Sequence, residues 1–337
     1  MKRLLIGDLH FTGEDLQRDP LLSLKNSLSW TLDVVKDKKP EEVVILGDLF
    51  GVGAYESHVS VQSIHLVLFQ MWLTSLESIC EQVLVLAGNH DWVDKELMTS
   101  VLEGLGSRSR VGYIDMPCTP GDDPDGSDVV YLPWGSKTLP GSGVVISHLD
   151  YIGYKIRDYT MDSGLRLDLT SGLTVYNGHY HNPGIQKMGG STLINVGSLI
   201  SHDFNDTVGA NYVLLIEKGK PDEWIQNPYS PAFITITAMD DRDLLMEISK
   251  VSSTHKPSDV HLKIVCDLPV SEDTVKKLAG DFKSYRIQRL AQKISVSRVS
   301  KEIQMSLPLL IEAYVDKSGT NLNKDKLKRI GMELLGG

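Results

Sequence analysis

The chain has 337 residues, 41% of them hydrophobic and 23% charged. This globular composition suggests about two domains and excludes collagen-like, mucin-like and wholly disordered chains. Its net charge of −10 at first sight argues against nucleic acid, since phosphate binding is driven by Lys and Arg.

The first residues run directly into a charged strand end, and no apolar run approaches the ~20 residues that span a bilayer. From residue 1 to about 218, runs of Val, Ile and Leu read as strands: Arg3–Gly7, Val43–Leu46, Val83–Ala87, Val129–Leu132, Val144–Ser147, Leu173–Asn177, Thr192–Val196 and Tyr212–Ile216. Between the first three, Leu21–Val35 and Val59–Cys80 carry the three- and four-residue apolar spacing of amphipathic helices, so an α/β domain with helices covering its sheet is expected. Pro117–Asp128 reads as a surface loop. Three prolines in Gly219–Pro231 mark a boundary. Beyond it, His261–Cys266, Ser271–Phe282 and Tyr285–Ile294 read as strand, helix and strand of a small α+β unit, followed by two helical signals around Ile303–Val315 and Leu327–Leu335. The three cysteines, Cys80, Cys118 and Cys266, form no Cys-x-x-Cys pattern, so neither a disulfide framework nor a thiolate zinc site is expected. A soluble cytoplasmic protein without a membrane partner fits these readings.

Chemistry concentrates just past the strand ends. There stand Gly7-Asp8-Leu9-His10, Gly47-Asp48, Gly88-Asn89-His90-Asp91, Ser147-His148 and Gly178-His179-Tyr180-His181. Open α/β sheets place ligand sites at such ends. Asp8 and His10 flank a residue that faces away, as do His179 and His181, so each pair points to one place. Carboxylate, imidazole and amide oxygen suit divalent metals in near-octahedral geometry. Two metals ~3.5–4 Å apart that share a carboxylate and a water form a centre for phosphoryl hydrolysis. Each motif alone is weak; the ordered series is specific.

This series resembles that of the calcineurin-like metallophosphoesterases over roughly residues 1–218. Gly47-Asp48-Leu49-Phe50, Leu132-Pro133-Trp134 and Asn195-Val196-Gly197-Ser198 look like its nuclease branch, the SbcD-type double-strand-break-repair nucleases and their shorter phage counterparts, the T-even-type recombination endonuclease small subunits. The resemblance implies a metallophosphoesterase β-sandwich flanked by helices over 1–220, a DNA-capping α+β domain over 232–297 and a helical segment over 298–337 that binds an SMC-like coiled-coil ATPase. It implies that Asp8, His10 and His181 hold one metal, that Asn89, His148 and His179 hold the other, and that Asp48 bridges. Manganese is the metal implied, magnesium the alternative. His90 would protonate the leaving 3′ oxygen, with Asp91 orienting its ring. The implied activity is 3′-to-5′ exonuclease action on duplex ends and endonuclease action on single strands, by a homodimer in the bacterial host cytoplasm if the gene is a phage's. Gly51 stands where relatives commonly carry His or Asp; His58 is read as solvent-facing, and His65, His202, His255 and His261 are assigned to surface or packing.

The charge is unevenly distributed. Residues 1–220 hold 17 basic against 28 acidic side chains, whereas Lys276–Lys301 holds eight basic against one acidic. A cap that tracks DNA through Lys276, Lys277, Lys283, Arg286, Arg289, Lys293 and Arg298 is therefore expected. The alternatives are a phosphomonoesterase or cyclic-nucleotide phosphodiesterase on the same fold, or a non-catalytic scaffold for the ATPase. Gly-Asp-x-Val-Asp-Arg and Gly-Asn-His-Glu of the Ser/Thr phosphatases are absent, which disfavours that class.

Overall fold

All eight Val/Ile/Leu runs of the first 218 residues fold as strands in the computed structural model, which describes residues 1–11, 20–50, 63–94, 99–100, 108–119, 129–266 and 270–289. β1 (Lys2–Ile6), α1 (Pro20–Lys38), β2 (Glu42–Ile45), α2 (Ser63–Ile79) and β3 (Gln82–Leu86) form a succession whose strands pair in parallel. β4 (Trp92–Asp94) and β5 (Thr99–Ser100) make a short ribbon, and β6 (Val111–Ile114) adds in parallel to β3. β7 (Val129–Leu132), β8 (Gly143–Ser147), the ribbon of β9 (Lys155–Ile156) and β10 (Tyr159–Thr160), β11 (Ser171–Asn177), β12 (Gly184–Met188) and β13 (Gly190–Asn195) follow. β14 (Tyr212–Glu217) then returns antiparallel to β1, and β15 (Glu223–Gln226) pairs with β14.

Two sheets result, with orders β15-β14-β1-β2-β3-β6 and β12-β13-β11-β8-β7. Side-chain alternation along β1 explains their stacking. Leu4 and Ile6 join a core with Leu28 and Val35 of α1 and Phe69 and Leu73 of α2, while Leu5 enters the layer between the sheets with Tyr131, Ile146 and Ile194. A third core, with Leu149, Tyr151, Tyr154 and Leu167, covers the outer face of the second sheet. Within the layer between the sheets, Arg3 Nε donates to Glu42 Oε1 at 2.8 Å and Tyr131 Oη donates to the same oxygen at 2.6 Å. The buried charge pair lies within the first sheet, and the Tyr131 hydroxyl reaches its shared oxygen from the second.

β15 lies inside the stretch expected to break the pattern. Pro221 and Pro228 flank this edge strand without interrupting it, a placement edge strands tolerate. The small unit also holds a strand and a helix beyond the strand, helix and strand expected within it. β16 (Ala232–Ala238), α3 (Asp241–Thr254), β17 (Val260–Cys266), α4 (Glu272–Ala279) and β18 (Ser284–Arg289) form a parallel sheet in the order β16-β17-β18. Asp240 caps α3 by accepting from the amides of Arg242 and Asp243, and Ser271 caps α4 by accepting from that of Thr274. Leu244, Ile248 and Val251 of α3 pack with Leu262, Ile264 and Phe282 in the core of this unit.

The chain divides into two compact units, Met1–Arg289 and Leu290–Gly337. The second unit lies outside the described residues, and with it both expected terminal helices, Lys293 and Arg298. The Asp-rich part of the expected surface loop, Gly51 and His58 lie outside them too. Among the described residues no helix is long and apolar enough to cross a membrane.

Candidate metal centre

The carboxyl ends of β1, β2 and β3 in one sheet and of β8, β11 and β13 in the other meet at one edge of the sandwich. Their close approach depends on glycine: a Cβ on Gly7 would lie 1.7 Å from the Gly197 carbonyl oxygen, and one on Gly88 would lie 2.2 Å from both the amide nitrogen and Oδ1 of Asp48. Three non-glycine residues at this edge adopt left-handed backbone: His10 (φ 41°), Asp48 (φ 48°) and His179 (φ 74°). Such geometry costs about 1–3 kcal/mol per residue and persists where surrounding bonds enforce it. Here the amides of Leu9 and His10 donate to the Asp48 carbonyl, and that of His179 donates to Asp8 Oδ1 at 3.1 Å.

Two groups of donors converge. In the first, ligand atoms of Asp8, His10 and His181 lie within 4.8 Å of one another; in the second, those of Asp48, His148 and His179 do. Asn89 joins the second group, its Oδ1 lying 3.0 Å from His148 Nε2 and 2.9 Å from His179 Nδ1. Asp48 also faces the first group, with Oδ2 3.2 Å from His148 Nε2 and 3.9 Å from His10 Nε2, while its Oδ1 accepts the His90 amide at 2.9 Å. The structure thus gathers all seven residues expected from sequence into one double cluster, with Asp48 between its halves.

Asp8, Asp48 and His148 are almost wholly buried, and Asp8 Oδ2 has no hydrogen-bond partner. An unpaired carboxylate oxygen in a dry interior costs several kcal/mol, so the carboxylate calls for a cation. Protons answer the same field. Burial opposes charge on His148, yet the charge and hydrogen bond of Asp48, with Asp8 beyond, raise it to about 9. Burial likewise works against ionised Asp48, but His148, His10 and His90 hold its carboxyl well below the usual range. Oxygen and imidazole donors around buried negative charge fit two divalent cations.

The outer ring nitrogens are anchored. His148 Nδ1–H donates to the Leu46 carbonyl at 2.6 Å, His179 Nε2 lies 2.9 Å from Asp150 Oδ1, and His181 Nδ1 lies 3.3 Å from Asp206 Oδ1. Asp150 and Asp206 were not among the residues read from sequence. His202, assigned there to surface or packing, has its ring centroid 4.8 Å from that of His10 and 5.2 Å from that of His181.

His90 belongs to neither group. Its Nε2 is 4.0 Å from Asp48 Oδ2, its ring is 5.3 Å from that of His10, and its side chain is 32% exposed. Asp91 accepts the Leu49 amide at 3.0 Å through Oδ1 and the Gly88 amide at 2.8 Å through Oδ2, so it braces the loops after β2 and β3. Burial, and then the charge of Asp48, pushes its carboxyl up to about 7. The Trp134 ring stands 5.1 Å from that of His179 and 6.4 Å from that of His148, partly exposed beside the second group.

The basic run on the small unit is not one continuous face. Lys276 and Lys277 are exposed in the last turn of α4. Lys283 is buried, with Nζ donating to Ser23 Oγ of α1 at 2.6 Å. Arg286 stacks over Phe204, and Arg289 Nη1 donates to the Val270 carbonyl at 2.7 Å.

A model of the calcineurin-like phosphoesterase family matches residues 1–270. Among solved structures, the chain is similar to Vps29 of Entamoeba histolytica in complex with zinc, at 15% identity and a TM-score of 0.31, over 67% of this chain and 99% of that one. It is also similar to a dimetal phosphatase from Danio rerio, at 12% identity and a TM-score of 0.41, over 67% of this chain and 99% of that one. No curated protein matches the sequence.

Proposed function

The chain belongs to the calcineurin-like phosphoesterase family, and from that premise we propose that it is a DNA nuclease, cutting duplex ends 3′-to-5′ and single strands internally. The observation that carries the DNA assignment is Trp134. A partly exposed indole 5.1 Å from a candidate ligand ring offers a nucleobase a stacking surface next to the scissile phosphate. Base–aromatic stacking contributes about 1–3 kcal/mol per base and serves every sequence.

Asp8, His10 and His181 would hold one divalent cation, and Asn89, His148 and His179 the other, with Asp48 between them. Bound there, manganese or magnesium supplies Lewis acidity toward the phosphoryl oxygens and the attacking water. The chain's own contribution is placement. His90, at the exposed margin of the cluster, donates a proton to the departing 3′ oxygen, and Trp134 holds the adjacent base. Lys276 and Lys277 attract the phosphate backbone from the cap.

We further read the protein as a homodimer and as the nuclease subunit of an SMC-like coiled-coil ATPase in DNA end processing. Leu66, Val67 and Met71 stand exposed on α2, where a second copy would cover them. The ATPase would engage the segment after Arg298. Light scattering, and co-purification of full-length chain or a chain ending at Arg298 with an SMC-like coiled-coil ATPase, test these two readings.

The deciding experiment compares labelled duplex DNA with p-nitrophenyl phosphate in manganese. Rapid DNA cleavage is expected, abolished by His90→Ser with metal binding kept. Trp134→Ala is expected to raise KM for DNA about tenfold, as loss of stacking worth ~1.4 kcal/mol implies, and to leave the small ester unaffected. A chain that hydrolyses only the monoester is a phosphomonoesterase, and the nuclease reading is then wrong.

A further inference from the structure

Asp150 and Asp206 stand in matching positions behind the two candidate metal groups. Asp150 Oδ1 is 2.9 Å from His179 Nε2, while the opposite nitrogen, Nδ1, is 2.9 Å from Asn89 Oδ1 inside the second group. Asp206 Oδ1 is 3.3 Å from His181 Nδ1, while the opposite nitrogen, Nε2, is 3.1 Å from His10 Nε2 inside the first. The two histidines face the cluster through different nitrogens, yet each has a carboxylate on the outer one. A carboxylate accepts and does not donate, so each imidazole carries a proton on its outer nitrogen, and it is the inner nitrogen that gives up its proton when a cation enters the site.

We propose that Asp150 and Asp206 are positioning residues, one for each metal group, which select the ring tautomer that turns a nitrogen lone pair of His179 and His181 into the site. The proposal rests on the metal-binding reading of the cluster and is independent of the DNA substrate. Outer carboxylates of this kind typically govern metal affinity by 10- to 100-fold.

The surroundings of the two carboxylates differ, and the difference yields a sharp test. Asp206 is held from its other side: its Oδ2 accepts the amide of His202 and, at 3.2 Å, that of Asp203. In Asp206→Asn these two amides keep the side-chain oxygen, so the new amide group must face His181 Nδ1 as a donor. The proton then moves to Nε2, and the lone pair leaves the site. Asp150 is bound the other way. Its Oδ1 accepts both from His179 Nε2 and from Tyr180 Oη at 3.2 Å, so Asp150→Asn keeps its oxygen there and leaves the tautomer unchanged. Asp150→Leu removes the acceptor.

The full-length protein is stripped of metal and titrated with manganese by calorimetry. For Asp206→Asn, one of the two sites is expected to weaken 10- to 100-fold and the other to keep its affinity. Asp150→Asn should bind as wild type does, and Asp150→Leu should weaken the other site alone. Nitrogen-15 NMR of the metal-free wild-type protein, followed to alkaline pH until each ring has lost its second proton, should show His181 protonated at Nδ1 and His179 at Nε2. Wild-type affinity in Asp206→Asn, or the opposite tautomers in the wild-type spectrum, overturns the proposal. The NMR readout decides even where a variant does not fold. A wild-type chain that binds no manganese refutes the metal reading itself, and the tautomers still judge the two carboxylates.

Discussion

The Arg286 guanidinium carbon lies 4.3 Å from the centroid of the Phe204 ring. Phe204 belongs to the loop that leaves β13, and its ring also meets Phe233 of β16 edge to face at 5.3 Å. One aromatic side chain from the phosphoesterase sandwich is thus gripped by the first and last strands of the small sheet. Stacked cations and edge-to-face rings each contribute about 0.5–1.5 kcal/mol. Phe204→Ala is expected to lower unfolding stability by about 1–3 kcal/mol. Amides of β16 and β18 should exchange faster in the variant. Unaltered exchange in both strands would show that the ring does not seat the small sheet.

This contact changes what the basic run can offer to DNA. Lys283 and Arg289 are committed to Ser23 and Val270, and Arg286 lies flat on Phe204. Among the described residues of the run, Lys276, Lys277 and Arg286 are exposed, the two lysines side by side in the last turn of α4. Lys276→Glu/Lys277→Glu is expected to weaken DNA binding and to reduce the slope of log affinity against log salt by about 2, roughly one per lost phosphate contact. Lys283→Glu should instead destabilise the fold, because it removes the ammonium's bond to Ser23 and places a carboxylate without a compensating cation in a buried site. Equal salt slopes for the lysine pair and wild type would remove α4 from the DNA path.

How far these features were legible varies with where their signal lies. The strands were readable because Val, Ile and Leu runs such as Val83–Ala87 end abruptly at Gly, Asp or Asn, and the ligand motifs sit on those ends. β12 and β15 were not, since edge strands such as Gly184–Met188 expose every second side chain and carry no apolar run. β16 and α3 were missed too; threonines alternate through β16, and α3 has a predominantly polar surface. Asp150 was within reach: it follows His148 by two residues, on the same side of an extended chain. Asp206 and His202 were harder to see. Their approach to His181 and His10 depends on a folded loop, and only the density of His, Asp and Asn over 201–206 hinted at it.

Gly88 provides a test of how tightly the two sheet edges are locked. An added Cβ would overlap the Asp48 backbone and carboxylate at 2.2 Å, and Asp91 holds the same turn through the Gly88 amide. Gly88→Ala should therefore displace Asp48 and abolish binding of both metals, read as manganese stoichiometry after gel filtration. Gly141 is the control, because nothing lies within 4 Å of its added Cβ. Gly141→Ala should bind two metals and unfold no earlier than wild type. Full occupancy in Gly88→Ala would mean that the loop yields without cost.

The small sheet carries its own pH dependence, remote from the metal cluster. His261 sits on the central strand β17, opposite Phe233 of β16 and Ser284 of β18. Its ring stacks on Phe233 at 4.4 Å, its Nδ1 lies 2.7 Å from Ser284 Oγ, and its Nε2 is buried without a partner. Burial, and then the positive charge of Lys283, lowers its pKa to about 4. An unfolded histidine titrates near 6.5, so between about pH 6.5 and 4 the unfolded chain binds a proton that the folded one refuses. The stabilisation is complete above pH 6.5 and is lost as pH falls, reaching roughly 3 kcal/mol at pH 4. His261→Phe keeps the stacking and removes the titration. Urea unfolding at pH 7, 6, 5 and 4 should show wild type losing stability faster than the variant across that window, with the difference growing toward pH 4. Parallel curves for the two proteins would show that His261 takes up its proton in the folded sheet as easily as in water.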